Sequence, residues 1–323
     1  MAAPTIVGAP GRRMQLGLAN FASLDYCQAM SIDNLKRVTI IGVGLLGGSA
    51  GLAIKAAAPM VRVAGVGRRM ESLQQALTVG AVDTAHLDAA AAVTDADMVI
   101  LATPVGAFEA HLRAIARALP RGCVVTDVGS TKQQVVRAAH RIMKRSAGCF
   151  VGSHPMAGSE QRGPAYARKD LFAGATCIVT PTAATKPAAL DKVQALWRAL
   201  GMRLVTMTPA AHDAAVAAIS HLPHAMAAML MLLPGDRQLE VSASGFRDAT
   251  RLASGDVEIW RDIFLTNRAN VAAQLGKLRR SLEKFTALLE RGDGAAIGRF
   301  LDAARTRRER TILNHEDRRA TVE

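Results

Sequence analysis

The sequence predicts an α/β chain in two parts, a doubly wound parallel-sheet half over residues 35–208 and an all-α half over residues 209–312. Three observations predict it. Short β-branched runs alternate with helical patterns as far as Met207, the order that builds a parallel sheet. Each run ends in Gly, Ser, Thr or Pro before the next helix begins. From Pro209 onward the runs vanish and long helical patterns cover residues 210–233, 258–289 and 295–310. A helical half without its own sheet buries its apolar faces against something else, and a second copy of the chain is the expected partner.

Residues 1–34 show no sustained periodicity and are read as a disordered tail. The alternatives are a short targeting segment or an over-extended start with Met30 as the initiator. The first strand then runs into Gly42-x-Gly44-x-x-Gly47 and a helix-forming stretch. Gly42 permits a tight turn, Gly44 lets a pyrophosphate reach the backbone beside Leu45 and Leu46, and Gly47 lets helix pack on strand. Phosphates then sit on the free N–H groups of the helix N-terminus, so the first half reads as a Rossmann-type dinucleotide-binding domain.

The second strand, residues 61–67, has no acid at its end to take a ribose 2′-hydroxyl. Gly67-Arg68-Arg69 stands there instead, and two guanidiniums suit a 2′-phosphate, which favours NADP with NAD as the alternative. A helix over 71–79 and a strand over 97–105 follow, the strand leaving through Thr103-Pro104. After a helix over 109–119, the strand from Cys123 ends in Gly129-Ser130-Thr131-Lys132 before a helix over 133–144. Thr103, Pro104, Ser130 and Lys132 therefore line the crevice at the carboxyl edge of the sheet. Ser130 also suits a helix cap, and Lys132 a surface charge.

The stretch Phe150–Glu160 breaks an apolar run into a turn rich in Gly, Ser and Pro that carries His154. An imidazole there is a candidate proton carrier during hydride transfer; the alternative is a turn histidine bonded to backbone. A strand over 175–180, a helix over 188–200 and a strand over 203–207 complete this half. Pro223 implies a kink beside His221 and His224, and no third ligand at helical spacing accompanies that pair, so no metal site is expected.

The formal charge of +13 raises nucleic acid as a partner. The excess is thinly spread outside 305–310 and the basic tail 313–323, and no aromatic-interleaved basic motif accompanies it. It reads as a solvated surface that attracts anionic substrates. The cysteines form no close pair, and Cys123 and Cys177 lie in strand-like runs, as reduced thiols of a cytoplasmic enzyme would. The most apolar stretch, 214–233, carries His221, Pro223 and His224, a poor membrane span.

Five blocks together carry a family resemblance: Gly42–Ser49, Asp127-Val-Gly-Ser-Thr-Lys132, Ser153-His-Pro-Met-Ala-Gly-Ser-Glu160, Ser220-His-Leu-Pro-His224 and Gly245–Arg251, with Trp260-Arg-Asp after them. They resemble the prephenate/arogenate dehydrogenases of tyrosine biosynthesis over residues 36 to 290. The resemblance implies oxidative decarboxylation of prephenate to 4-hydroxyphenylpyruvate, or of arogenate to tyrosine. Hydride leaves C4 of a cyclohexadienyl ring, the C4 hydroxyl loses a proton, and the ring carboxylate departs as CO2. Aromatisation drives the reaction. By resemblance His154 bonds the C4 hydroxyl as general base and Ser130 orients it; Arg251 binds a carboxylate. His224 and Ser220 face the substrate, Ser159 and Glu160 form the pocket rim, and Trp260 an aromatic wall. Arg247 lies four residues before Arg251, and only the resemblance prefers Arg251. The Gly67-Arg68-Arg69 run departs from the family's acidic residue. Rival readings are a β-hydroxyacid or 6-phosphogluconate-type dehydrogenase and a non-catalytic nucleotide-sensing protein.

Overall fold

The computed structural model describes residues 32–159 and 161–320. The first half alternates strand and helix, with β3 and α3 in a stretch where the pattern predicts no element: β1 (Arg37–Ile41), α1 (Leu45–Ala57), β2 (Arg62–Val66), α2 (Met70–Thr78), β3 (Thr84–His86), α3 (Ala89–Ala92), β4 (Met98–Leu101), α4 (Phe108–Ile115), β5 (Val124–Asp127), α5 (Gln133–Ile142) and β6 (Cys149–Phe150). The strands pair in parallel in the order β3-β2-β1-β4-β5-β6. The order reverses between β1 and β4, so a crevice opens at the carboxyl ends of those two strands. Val38, Ile40, Met98, Val99, Ile100 and Leu101 are fully buried because helices cover both faces. Each contributes about 1.5–3 kcal/mol of transfer free energy.

Beyond β6 the structure departs from the expected turn. Val151 still bonds the Val125 carbonyl, and then the chain starts a second sheet with β7 (Gly152–Pro155). β7 runs antiparallel to β8 (Thr176–Thr180), and β8 runs parallel to β9 (Arg203–Thr206), with α6 (Pro187–Ala199) between them. His154 is thus a strand residue with its backbone in register with Ile178. Pro155 is tolerated because β7 is an edge strand. Gly152 marks the crossing: a Cβ there would lie 2.6 Å from Thr180 Oγ1. Trp197, fully buried on α6, locks the join by donating from Nε1 to Ser153 Oγ at 3.0 Å. Ser153 Oγ in turn bonds the Asp127 carbonyl and, at 2.8 Å, Thr126 Oγ1.

The helical half holds α7 (Pro209–Val216), α8 (Leu222–Met231), α9 (Asp236–Leu239), α10 (Ser244–Thr250), α11 (Val257–Thr266), α12 (Arg268–Glu290) and α13 (Gly294–Ala320). Thr208 starts it, its Oγ1 accepting the Ala211 N–H at 3.2 Å ahead of Pro209. The pattern over 210–233 predicts one kinked helix. The structure instead inserts a π-helical segment, Ala217–His221, just before Pro223. A proline has no N–H for the i−4 carbonyl, and the wider turn relieves that mismatch. The pattern over 258–289 also breaks, at Asn267, which is buried and donates from Nδ2 to the Asp213 carbonyl at 2.8 Å.

Both expected tails need correction where the structure describes them. Ile32–Asn34 form a short 3-10 turn with Ile32 buried, so the fold begins inside the expected 1–34 tail; the rest of that tail, with Met30 and Cys27, lies outside the described residues. At the other end α13 runs to Ala320, through most of the expected 313–323 tail, since Arg and Glu are good helix formers. Cys123 and Cys177 are buried free thiols, whose ionisation burial pushes up, to about 12 for Cys123. Large apolar side chains of the helical half face solvent, among them Leu232 at 85% and Val241 at 83% exposure.

Candidate functional site

The glycine turn has the shape its spacing requires. Gly42 has φ +100, and a Cβ on it would lie 2.8 Å from the Ala102 carbonyl at the β4 exit. A Cβ on Gly47 would overlap the Gly42 carbonyl oxygen, so helix and strand touch through bare backbone. Above Gly44 nothing lies within 4 Å of the added atom. Gly44 is the N-cap of α1 and supplies no side-chain acceptor, so the first-turn N–H groups at Leu45, Leu46 and Gly47 remain for an anion. Open space over uncapped N–H groups fits a pyrophosphate. Thr103 and Pro104 flank the turn, and Thr103 Oγ1 is buried without a hydrogen-bond partner among the described residues.

Arg68 and Arg69 are exposed at the β2 exit. Neither forms an ion pair among the described residues. Burial first, and then the Arg68 guanidinium, hold half-buried His111 of α4 below its ordinary value.

His154 sits on β7 with 8% exposure. Its Nδ1 lies 2.8 Å from His212 Nε2 on α7, and His212 Nδ1 lies 2.8 Å from Asp213 Oδ1. Asp213 also accepts the backbone N–H groups of Lys132 at 2.7 Å and Gln133 at 2.9 Å, capping α5 from the other half of the chain. His154 Nε2 has no hydrogen-bond partner among the described residues. Burial holds the His154 imidazole well below its ordinary value, and His212, Lys132 and His221 add to the effect. Burial likewise lowers His212, against the pull of Asp213. Both rings are therefore neutral near pH 7.

Lys132 is wholly buried, which overturns its reading as a surface charge. Its ammonium pairs with Asp127, also fully buried. Asp127 accepts the N–H of Gly129 at 2.9 Å and of Ser153 at 3.1 Å. Burial pushes the Asp127 carboxyl up, and the ammonium and the two N–H donors oppose it. The pair ties the β5–α5 turn to β7 at Ser153, the residue before His154.

The helical half brings two rings together. His224 of α8 stacks on Trp260 of α11 with centroids 3.4 Å apart, and Phe264 and His221 complete the cluster. Gly255 leaves room for the stack: a Cβ there would lie 2.6 Å from both rings. His221 reaches 3.1 Å from Asn267 and links the cluster to Asp213. His221 Nε2 and His224 Nδ1 are buried without partners among the described residues. Of the remaining expected residues, Ser220 is half-buried in the π segment and Ser130 half-exposed in its turn, without a side-chain hydrogen bond to His154. Arg251 begins an exposed 3-10 turn, Arg247 is exposed on α10, and Ser159 is exposed. Glu160 lies outside the described residues. Sequence reasoning missed His212 and Asp213; the signal was a His-Asp pair one turn into the helix that Thr208 caps.

Burial lowers both His221 and His224 to about 4 from the ordinary 6.5. The unfolded chain therefore binds these protons first on acidification. Their contribution to stability is full above about pH 6.5 and is lost as pH falls toward about 4. Thermal unfolding followed across that window should show Tm falling; a flat Tm down to about pH 4 would contradict the burial of these rings.

Comparison with known proteins rests on this geometry. The family model described as the prephenate dehydrogenase nucleotide-binding domain matches residues 50–206, and the prephenate dehydrogenase dimerization domain matches residues 208–303. The chain belongs to the prephenate dehydrogenase family. Prephenate dehydrogenase of Bacillus subtilis is 35% identical over 84% of this chain and 75% of its own length. Cyclohexadienyl dehydrogenase of Zymomonas mobilis is 33% identical over 80% of this chain and 90% of its own. The solved prephenate dehydrogenase of Aquifex aeolicus, in complex with hydroxyphenyl propionate and NAD+, superposes with TM-score 0.79 at 31% identity, covering 84% of this chain and 97% of that one. Synechocystis arogenate dehydrogenase superposes with TM-score 0.73 at 27% identity, covering 85% and 99%. As a member of the prephenate dehydrogenase family the chain is an oxidoreductase of tyrosine biosynthesis, with a nicotinamide-cofactor domain followed by a helical domain.

Proposed function

We propose that the chain carries out NAD(P)-dependent oxidative decarboxylation of a cyclohexadienyl substrate, prephenate or arogenate, with His154 as the base at the C4 hydroxyl. The observation that carries this reading is a neutral imidazole at the sheet edge whose Nδ1 is engaged and whose Nε2 is free. A neutral His154 Nε2 accepts the hydroxyl proton as the C4–H bond breaks. The bound nicotinamide supplies the hydride acceptor. Holding C4 against it is the work of the residues around the crevice, and most of the rate gain from positioning comes from there.

Arg251 is assigned a substrate carboxylate, and the His224–Trp260 stack one wall for the ring. Ser130 and Ser220 are assigned polar contacts, and Ser159 and Glu160 the rim. Burying the ring carboxylate less tightly than the side-chain carboxylate favours its departure as CO2. The exposed apolar side chains of the helical half support a homodimer built through it, and reduced buried thiols support a cytoplasmic setting.

Steady-state kcat/KM for prephenate and for arogenate, each with NAD and with NADP, tests the reading. No NAD(P)H formation with either substrate would overturn it. For the cofactor we favour NADP, because two unpaired guanidiniums stand at the β2 exit and no carboxylate does. Replacing Arg68 by Asp should weaken NADP about tenfold or more relative to NAD. Equal weakening of both would remove the 2′-phosphate assignment.

A further inference from the structure

We propose that His212 is a positioning residue that, with Asp213 behind it, fixes which nitrogen of His154 carries the proton. The proposal rests on the reading of His154 as the base and extends it to residues on another element.

One line of bonds runs from Asp213 through His212 to His154. Asp213 accepts two backbone N–H groups from the start of α5, one at each carboxylate oxygen, so it meets His212 as an acceptor. His212 Nδ1, 2.8 Å from Asp213 Oδ1, must therefore be the N–H nitrogen. That leaves a lone pair on His212 Nε2. His154 Nδ1 is 2.8 Å from it, and two lone pairs cannot face each other at that distance, so His154 carries its proton on Nδ1. Its Nε2 then holds the lone pair that a base needs, and this is the nitrogen without a partner among the described residues. In solution the other tautomer is open to the ring; here the carboxylate two bonds away excludes it.

When His154 takes the hydroxyl proton on Nε2, its Nδ1–H remains in the bond to His212, and His212 keeps its own proton on Asp213. Within this line of bonds only the transferred proton is added, so His212 and Asp213 need not rearrange during the step. The same contacts join the two halves of the chain. Asp213 and His212 belong to α7, while Lys132, Gln133 and His154 belong to the first half. The correct tautomer therefore forms only when α7 is docked.

The test is made on the full chain. Imidazole nitrogen-15 NMR of the free protein, with His154 assigned by its loss in His154→Asn, should report protonated Nδ1 and unprotonated Nε2. The opposite tautomer would overturn the proposal whatever the substrate proves to be. His212→Phe should lower kcat about 100-fold with KM and cofactor affinity changed less than about threefold. His212→Gln, whose carbonyl can accept from Nδ1, should recover part of that loss. Asp213→Asn keeps a good helix cap but allows an amide N–H to face His212, so it should lower kcat while Tm stays close to the parent.

The acid limb of kcat/KM should move in His212→Phe, since His212 faces His154 together with Lys132, His221 and the β8 backbone at Ile178, while Asp213, Lys132 and Asp127 act on His212 itself. Losses of kcat matched by equal losses of Tm and cofactor affinity, with no rescue by Gln and no moved limb, would make His212 a packing residue and end the proposal. If the parent enzyme turns over neither cyclohexadienyl substrate, the assignment of function fails separately, and the NMR result still decides the tautomer.

Discussion

His154→Asn should lower kcat by about two to four orders of magnitude while leaving cofactor affinity and KM nearly unchanged. Asparagine fits the β7 position and can keep a hydrogen bond to His212, but no atom on it can take a proton near neutral pH. The loss should fall on the transition state, because the proposed contacts to substrate carboxylates and cofactor phosphates are assigned to other residues. The pH profile sharpens the expectation. Burial keeps His154 well below the ordinary histidine value, so the neutral base persists on the acid side of pH 6.5. Activity is lost only as pH falls through that lowered value, since the protonated ring has no lone pair to offer. In His154→Asn that acid limb should vanish from kcat/KM. Turnover within about tenfold of the parent would remove His154 from the reaction.

Much of this was legible because local chemistry and global fold agree. The Gly42, Gly44 and Gly47 spacing encodes three separate steric demands, and the structure meets each at the expected position. That β1, β2, β4 and β5 run parallel follows from strand-helix alternation, whereas the short β3 at the sheet edge has too few apolar residues to stand out. The passage from β6 to β7 was not legible, because Phe150–Pro155 is continuous as a local pattern. Only β8, more than twenty residues later, provides the edge that β7 pairs with. The π segment and the break at Asn267 were hidden for a similar reason. Hydrophobic period records which face is buried, and that face continues through both irregularities.

The site was read unevenly for the same cause. His154, Ser130 and the glycines lie in turns or at strand ends, where unusual residues stand out against apolar runs. His212 and Asp213 lie inside a helix, where a polar pair looks like a solvated face, yet both are buried, Asp213 on Lys132 and Gln133 and His212 on His154, all far away in sequence. The burial of Lys132 was nearer to hand. Asp127 lies five residues before it across a tight turn, so the motif holds its own counter-ion.

That pair yields the second large expected effect. Lys132→Met should destabilise the fold by about 3–5 kcal/mol, since it leaves the Asp127 carboxylate buried without its cation. The methionine fills most of the lysine stem, so lost packing is a small part of the change. Asp127 cannot simply be emptied as well, because it also accepts the N–H groups of Gly129 and Ser153. Asparagine keeps an acceptor there without the charge. Asp127→Asn combined with Lys132→Met should therefore be more stable than Lys132→Met alone, and a double-mutant cycle in urea should report a coupling of about 1–3 kcal/mol. Additive losses would show that the charges are not coupled. The pair also lies close to His154, with Ser153 on Asp127 and His154 next in the strand. Because the Lys132 ammonium helps hold His154 neutral, its removal should raise the pH at which the acid limb of activity falls. The buried pair thus links fold stability to the protonation state of the base through one strand.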